Sequence, residues 1–471
     1  MNEEAIYNLL ENSKRMGAEY SEVRYHEVLN TSIVINNSML LAAATARSKG
    51  YATRIYKKGS LAFTSVDSEE KLGEAFTSTL ALTNVRGFEE GMSKEEVNID
   101  SYVIPEKKKI MDTPIDVKIK YLIDLSKELL SLKTRNRIVN IYLAYNDSIE
   151  EKKFYSSEGS KIHSKIPRVS IFYNLVLSNG SQVIHKDGML GNSGGLELLD
   201  EWNLHENLGN EIKILDKILS EAKETPKGEM DVVVSGEISG IIAHESIGHP
   251  FEADRILGRE TAQAGRSYLS PSDLGKRIGS EVVNVIDDPT INGSFGYYLY
   301  DDEGIKARPR YLIKNGAVNE FLHNRFTARR FSISSNGSSR TMDFESEPII
   351  RMANTYFAPG DHSIDELIEG IKFGVYIKSY MEWNIDDIRW GQRYGGLESY
   401  LIENGEIKDL VKFPVLEGTT GEILSSIDAV GKDLKFSPGL CGKGEPMQGV
   451  PVWFGGPHIR IRKVRVKKIG E

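Results

Sequence analysis

The segment Thr225–Pro226–Lys227–Gly228 divides the chain into two halves whose hydrophobic patterns differ, and one packing scheme cannot serve both. Before it, helical periodicity alternates with long strand candidates. After it, short strands follow one another through glycine-rich turns. A chain of 471 residues also exceeds what one growing core usually serves. Two domains are therefore expected, residues 1–226 and 227–471.

In the first half the apolar spacing predicts helices over 3–17, 69–82, 116–132 and 211–224. The third places Ile119, Leu122, Leu125, Leu129 and Leu132 on one face. Strands are predicted over 21–28, 31–36 and 51–66, the last broken at Lys58–Gly59. Two hairpins follow, one over 137–160 turning at Asn146–Asp147 and one over 168–190 turning at Asn179–Gly180. This half reads as an N-terminal α/β domain with a mainly antiparallel sheet. In the second half strands are predicted over 231–236, 280–288, 411–418 and 457–469, with helices around 240–249, 363–371 and 421–429. That pattern implies a β-rich, curled or barrel-like C-terminal domain with added helices, and an α+β fold for the whole. The polar loop 331–341 is expected to be mobile.

Composition narrows the function. The net charge of -9 argues against a dedicated nucleic-acid binder, which would present a basic face. No run approaches the roughly 18 apolar residues that span a bilayer, and the acidic, amphipathic start of the chain is unlike a secretory leader. A lone cysteine, Cys441, excludes an internal disulfide and suits a reducing, cytoplasmic setting.

The chemistry concentrates in SGEISGIIAHESIGHPFEADR, residues 235–255. Ser235 or Ser239 can cap a helix that runs into His244, Glu245 and His249. A glutamate directly after the first of two histidines resembles the His-Glu-x-x-His pattern, but with one residue more. Five positions on a regular α-helix rotate a side chain by about 500°, roughly 140° from alignment. Both rings reach one ion only if the turn widens or breaks, with Gly248 tolerating strained backbone and Pro250 stopping regular continuation. Taken alone, the pair is better explained as two ordinary core or surface histidines.

A catalytic zinc needs a third protein ligand and an open position. Cys441 is the candidate, in a stretch crowded with Gly and Pro that reads as a tight loop, SPGLCGKGEPMQG. An idle thiol is one alternative. A cysteine nucleophile is another, although nothing local supplies its base and His458 reads as a polar residue on a terminal strand.

Five segments together resemble the TldD/PmbA family, in its TldD-like, metal-binding branch: HESIGHPFEADR, YYLYDDEG (297–304), PIIRMANTYFAPGD (348–361), RWGQRYGGLESYLIENGEI (389–407) and CGKGEPMQGVPVWFGGPHIRI (441–461). The resemblance implies one zinc ion per chain, held by His244, His249 and Cys441, with Glu245 as catalytic base. It implies a peptidase that hydrolyses unfolded or flexible peptides with metal-activated water. It also implies a dimer, either of identical chains or with a related metal-free subunit. Pro250 stands where many relatives carry glycine, and CGKGEPMQG departs from the commoner CGKxGQ, which bears on substrate fit and loop shape. The alternative reading is a non-catalytic, peptide-binding subunit with a structural metal; the presence of Glu245 argues against it.

Around the metal, Asp254 is the expected partner for a histidine ring N–H, with Glu252, Asp301 and Asp302 as other acids nearby. His323 is either substrate-facing or structural, and Arg325, Arg329 and Arg330 either bind a peptide carboxylate or lie at the surface. An extended peptide pairing with a strand edge would give broad specificity.

Overall fold

The computed structural model describes residues 2–87, 90–260 and 264–470. Its first half is a seven-stranded sheet with helices packed against it. Helix α1 (Glu3–Arg15) leads into β1 (Tyr20–Asn36), β2 (Met39–Lys57) and β3 (Ser60–Val66). Then come α2 (Leu72–Leu82), β4 (Ile99–Val103), α3 (Ile115–Leu130), β5 (Arg137–Ser156), β6 (Lys161–Ser178) and β7 (Val183–Ser193), followed by α4 (Glu197–Glu201) and α5 (Leu204–Glu221). The strand order is β3-β2-β1-β5-β6-β4, with β7 also on β6; only β4 pairs in parallel, so the sheet is mixed but mainly antiparallel.

Leu122, Leu125 and Leu129 of α3, with Leu208, Ile212 and Leu215 of α5, are buried with Leu143, Ile171 and Leu175 of the sheet. Each such side chain contributes about 1.5–3 kcal/mol relative to exposure. No described helix is long and apolar enough to cross a membrane.

The expected breaks within two strands are absent. β1 runs unbroken through residues 29 and 30, and β5 runs straight through Asn146 and Asp147, pairing with β1 and β6 along its length. Asp147 is not a turn residue: it is buried, and its carboxylate accepts from Lys118 Nζ of α3 at 2.5 Å. A carboxylate that reads as a turn signal is thus satisfied from the layer above the sheet. The hairpin turns instead between Ser156 and Lys161. The turn at Lys58–Gly59 and the hairpin at 179–182 are present as expected, with Asn179 Oδ1 accepting from the Gln182 amide.

The second half opens with β8 (Gly228–Val234) and α6 (Gly236–Ile242). β8 lies in a nine-stranded sheet that curls into a half-barrel, between the strands Ile459–Lys468 and Phe373–Ile377. A six-stranded sheet packs beside it and ends in the strands Asn354–Phe357, Gln448–Gly456 and Lys435–Lys443. Only Val285–Asp287 of the segment 280–288 is strand, and the helix expected over 421–429 stops at Ser425, giving way to the strand Ile427–Val430. The loop 331–341 is largely buried from Ser335 onward: Asn336 donates to the Phe321 carbonyl at 2.7 Å and accepts from the His323 amide at 2.9 Å. The two halves meet where β7 lies against the last two strands, and Trp453 Nε1 donates to the Gly191 carbonyl at 2.7 Å.

Candidate metal centre

Helix α6 starts on Ser235, whose side chain accepts from the Glu237 amide. It lies backbone-to-backbone on the strand Gln448–Gly456: a Cβ at Gly240 would sit 2.8 Å from Gly455 Cα. The helix then widens. Residues Ala243–Gly248 form a π-turn, and the His249 amide donates to the His244 carbonyl, five residues back. This wider turn is the distortion that a five-residue histidine spacing requires. It leaves the Ser246 carbonyl to be satisfied from outside, by Tyr268 Oη at 2.9 Å. A 3-10 turn, His249–Phe251, follows with Pro250 near its start.

Gly248 is needed here for a different reason from the expected one. Its φ of −51° is helical, so no backbone strain calls for glycine. Instead a Cβ there would lie 1.9 Å from Met352 Sδ, so any larger residue must displace that side chain.

The two imidazoles face each other with ring centroids 4.9 Å apart. Cys441 is in the strand Lys435–Lys443, paired with Val450, rather than in a loop. Its Sγ lies 3.4 Å from His249 Nε2. One ligand atom each from His244, His249 and Cys441 falls within 4.8 Å of the others, and all three residues are buried. A tetrahedral zinc with bonds of about 2.0 Å to nitrogen and 2.3 Å to sulfur separates such donors by roughly 3.5 Å. One thiolate with two imidazoles is also a donor set suited to that ion. His244 Nδ1 is buried without a hydrogen-bond partner, an atom left over by the protein's own contacts. The residues fit a metal.

The surroundings favour the thiolate form of Cys441, the form that binds one. Burial pushes the Cys441 thiol up, but His249, Arg351 and His244 outweigh it and hold the thiol well below its ordinary range. Burial pushes His244 down, while the facing Cys441 raises it overall. Glu245 is raised by burial but lowered on balance by His249, His244 and Arg389.

Glu252, not Asp254, supports the histidine. Its Oε2 lies 3.1 Å from His249 Nδ1, which leaves Nε2 to face Cys441. The two oxygens of Asp254 accept instead from Lys443 Nζ, at 2.7 and 2.8 Å. The strand explains the division. Cys441 and Lys443, two residues apart, project from the same face, one toward the histidines and the other toward Glu252, at 3.3 Å, and Asp254. Asp301 and Asp302 lie elsewhere, binding the amides of Ser339 and Thr341.

Glu245 has a partner that sequence reasoning missed. Arg389 Nη1 donates to its carboxylate, while Arg389 Nε holds the Ala264 carbonyl at 3.2 Å. Arg389 opens one of the five resembling segments, and its left-handed backbone (φ 63°) marks a constrained position. His323 is structural: it is buried, bonded to Thr327 Oγ1 at 3.1 Å, and held by desolvation at a pKa of about 4. Arg325 is buried in a pair with Glu158, whereas Arg329 and Arg330 are exposed. His458 bonds to Asp433 and to Tyr376 Oη at 2.8 Å.

His244, Glu245 and Cys441 open onto a cavity of about 390 Å³ walled by β6 and β7 on one side and by the Cys441 strand on the other. Comparison with known proteins decides the family. The description "PmbA/TldA metallopeptidase C-terminal domain" matches residues 227–468, and "PmbA/TldA metallopeptidase central domain" matches 108–224. The chain belongs to the TldD/PmbA metallopeptidase family. A metalloprotease of Methanothermobacter thermautotrophicus is 33% identical over 95% of both chains. Another, from Methanocaldococcus jannaschii, is 32% identical over 98% of each. TldE from Thermococcus kodakarensis shares the fold, with a TM-score of 0.77 at 19% identity, covering 98% of this chain and 99% of its own. The His-His-Cys cluster lies within the stretch that the C-terminal-domain description matches.

Proposed function

We propose that the chain is a zinc-dependent peptidase acting on unfolded or flexible peptides. His244, His249 and Cys441 hold one zinc ion, and Glu245 is the general base. The observation that carries this reading is the convergence of a π-turn and a strand 192 residues downstream on one buried donor set. Bound there, zinc supplies Lewis acidity, which polarises a peptide carbonyl and acidifies water.

The protein's own part is positioning and proton transfer. Glu252 fixes the His249 ring by accepting from Nδ1. Glu245 sits beside the ligands at the cavity wall, kept ionised by the Arg389 guanidinium that donates to it. In that state it takes the proton of the attacking water and delivers it to the leaving amine. Arg389 keeps its carboxylate from rotating away. Removing the base without disturbing the ligands separates catalysis from a structural metal: Glu245→Gln is expected to retain one zinc per chain and lose peptide cleavage. Near-normal cleavage by that variant would exclude the assigned base.

The reading extends to an assembly of two chains, identical or related. Residues Met39–Lys49 of β2 are exposed on both faces, which supports an edge free to pair. Sedimentation of the purified chain, alone and mixed with a relative, tests this; a monomer in both cases would refute it.

A further inference from the structure

The cavity beside the candidate metal centre carries a second charged group that metal binding does not use. Lys186 of β7, Glu211 of α5 and Glu237 of α6 all line it. Lys186 is 3% exposed, and its Nζ donates to Glu237 Oε1 at 2.6 Å while lying 4.9 Å from the centre of the Tyr380 ring. The nearby Lys378 and Glu398 neutralise each other at 2.8 Å. Each lysine therefore already has a carboxylate. Glu211 is left over: among the described residues its carboxylate accepts no hydrogen bond from a side chain and forms no ion pair. Burial, with Glu237 and Glu398 close by, pushes it above the ordinary carboxylate range, against the opposing pull of Lys186 and Lys378.

A carboxylate in this position lacks one cation. The open space of the cavity adjoins it, and the rings of Tyr173, Tyr380 and Trp383 line the same cavity, suiting the flank of an ammonium group. The other end of the cavity differs. Phe172, Met189 and Leu440 continue into a neighbouring trough that includes Val28, Val34, Ala144 and Phe295. The trough's own charges, Glu150 and Arg168, pair with each other at 2.7 Å, whereas Glu211 is unpaired among the described residues, so a peptide lying across the metal meets two unlike subsites.

We propose that Glu211 is a specificity-determining residue that receives an ammonium group of the peptide, with Lys186 and Glu237 holding the wall in place. This rests on the peptidase reading, because the subsite shares the cavity of Glu245. The ammonium has two possible sources, the peptide N-terminus and a lysine side chain. Either one, once bound, leaves the cluster neutral.

The test is binding, measured by titration calorimetry on the full zinc-loaded chain, with three amidated hexapeptides of alanine and phenylalanine. One has a free N-terminus, one is N-acetylated, and one is N-acetylated with a single internal lysine. At least one ammonium-bearing peptide is expected to bind ten-fold or more tightly than the neutral one, and which of the two does so identifies the source. In Glu211→Gln the ratio of dissociation constants falls to near one, and in Glu211→Asp part of it returns, with zinc content unchanged in both. Equal binding of all three peptides by the wild type, or a preference that survives in Glu211→Gln, would overturn the assignment. Cleavage of the same peptides is scored separately: binding preference without hydrolysis contradicts the peptidase reading and leaves the ammonium subsite standing.

Discussion

Glu252 Oε2 lies 3.1 Å from His249 Nδ1, and the same oxygen accepts from Arg255 Nε at 2.5 Å. The carboxylate is buried, which by itself raises its pKa, but Lys443, Arg255 and His249 hold it well below the usual range. It is therefore a fixed anion that sets which ring nitrogen of His249 faces Cys441. Supporting carboxylates of this kind are worth about 10–100-fold in metal affinity. Glu252→Gln is expected to weaken zinc binding by that order, read by competition with a chromogenic chelator. Unchanged affinity would assign Glu252 to the Lys443–Arg255 network alone.

Gly248 is predicted to be intolerant of even one methyl group. Gly248→Ala forces the Met352 side chain aside and is expected to cost about 1–3 kcal/mol. Urea unfolding measures it, and the double variant Gly248→Ala with Met352→Ala checks the cause. If space is the issue, the second change recovers part of the loss; a purely additive pair would point back to the backbone.

Arg389 is predicted to act through Glu245. Arg389→Met leaves the three ligands untouched, so zinc content stays at one per chain. The unpinned carboxylate is expected to lower kcat by about ten-fold or more with little change in KM. A rise in KM at constant kcat would instead make Arg389 a substrate-binding group.

His323 makes stability depend on pH. Its folded pKa of about 4 lies below the ordinary 6.5, so the unfolded chain takes up a proton first as the pH falls. The contribution is fully present above pH 6.5 and is lost progressively between 6.5 and 4, by about 3 kcal/mol. His323→Gln is expected to flatten that segment of the stability profile. An identical slope in the variant would move the effect to other groups.

How far the residues alone reveal the site depends on the range of the interactions. The π-turn was foreseeable, because a five-residue histidine spacing cannot close on an α-helix and the chemistry lies within one segment. Cys441 was foreseeable because it is the chain's one thiol. The partner of His249 was not: Glu252 and Asp254 are both close acids, and only the strand carrying Lys443 decides between them. Arg389 reaches Glu245 from 144 residues away with no local pattern to announce it.

The fold divides in the same way. Helices α1, α3 and α5 follow from periodicity, although α5 starts earlier than expected. Asn146–Asp147 misleads because Asp147 finds Lys118 on a helix, a tertiary contact that overrides a turn signal. Cutting that buried pair with Asp147→Ala would leave Lys118 stranded, and such losses run to about 3–5 kcal/mol.

The central claim is that one metal joins the π-turn to the Cys441 strand. Anomalous diffraction on crystals of the protein purified without chelators, recorded on both sides of the zinc edge, tests it directly. The account predicts one peak per chain, within bonding distance of His244, His249 and Cys441. A peak elsewhere, or a zinc-replete crystal with no density among those three side chains, would contradict it.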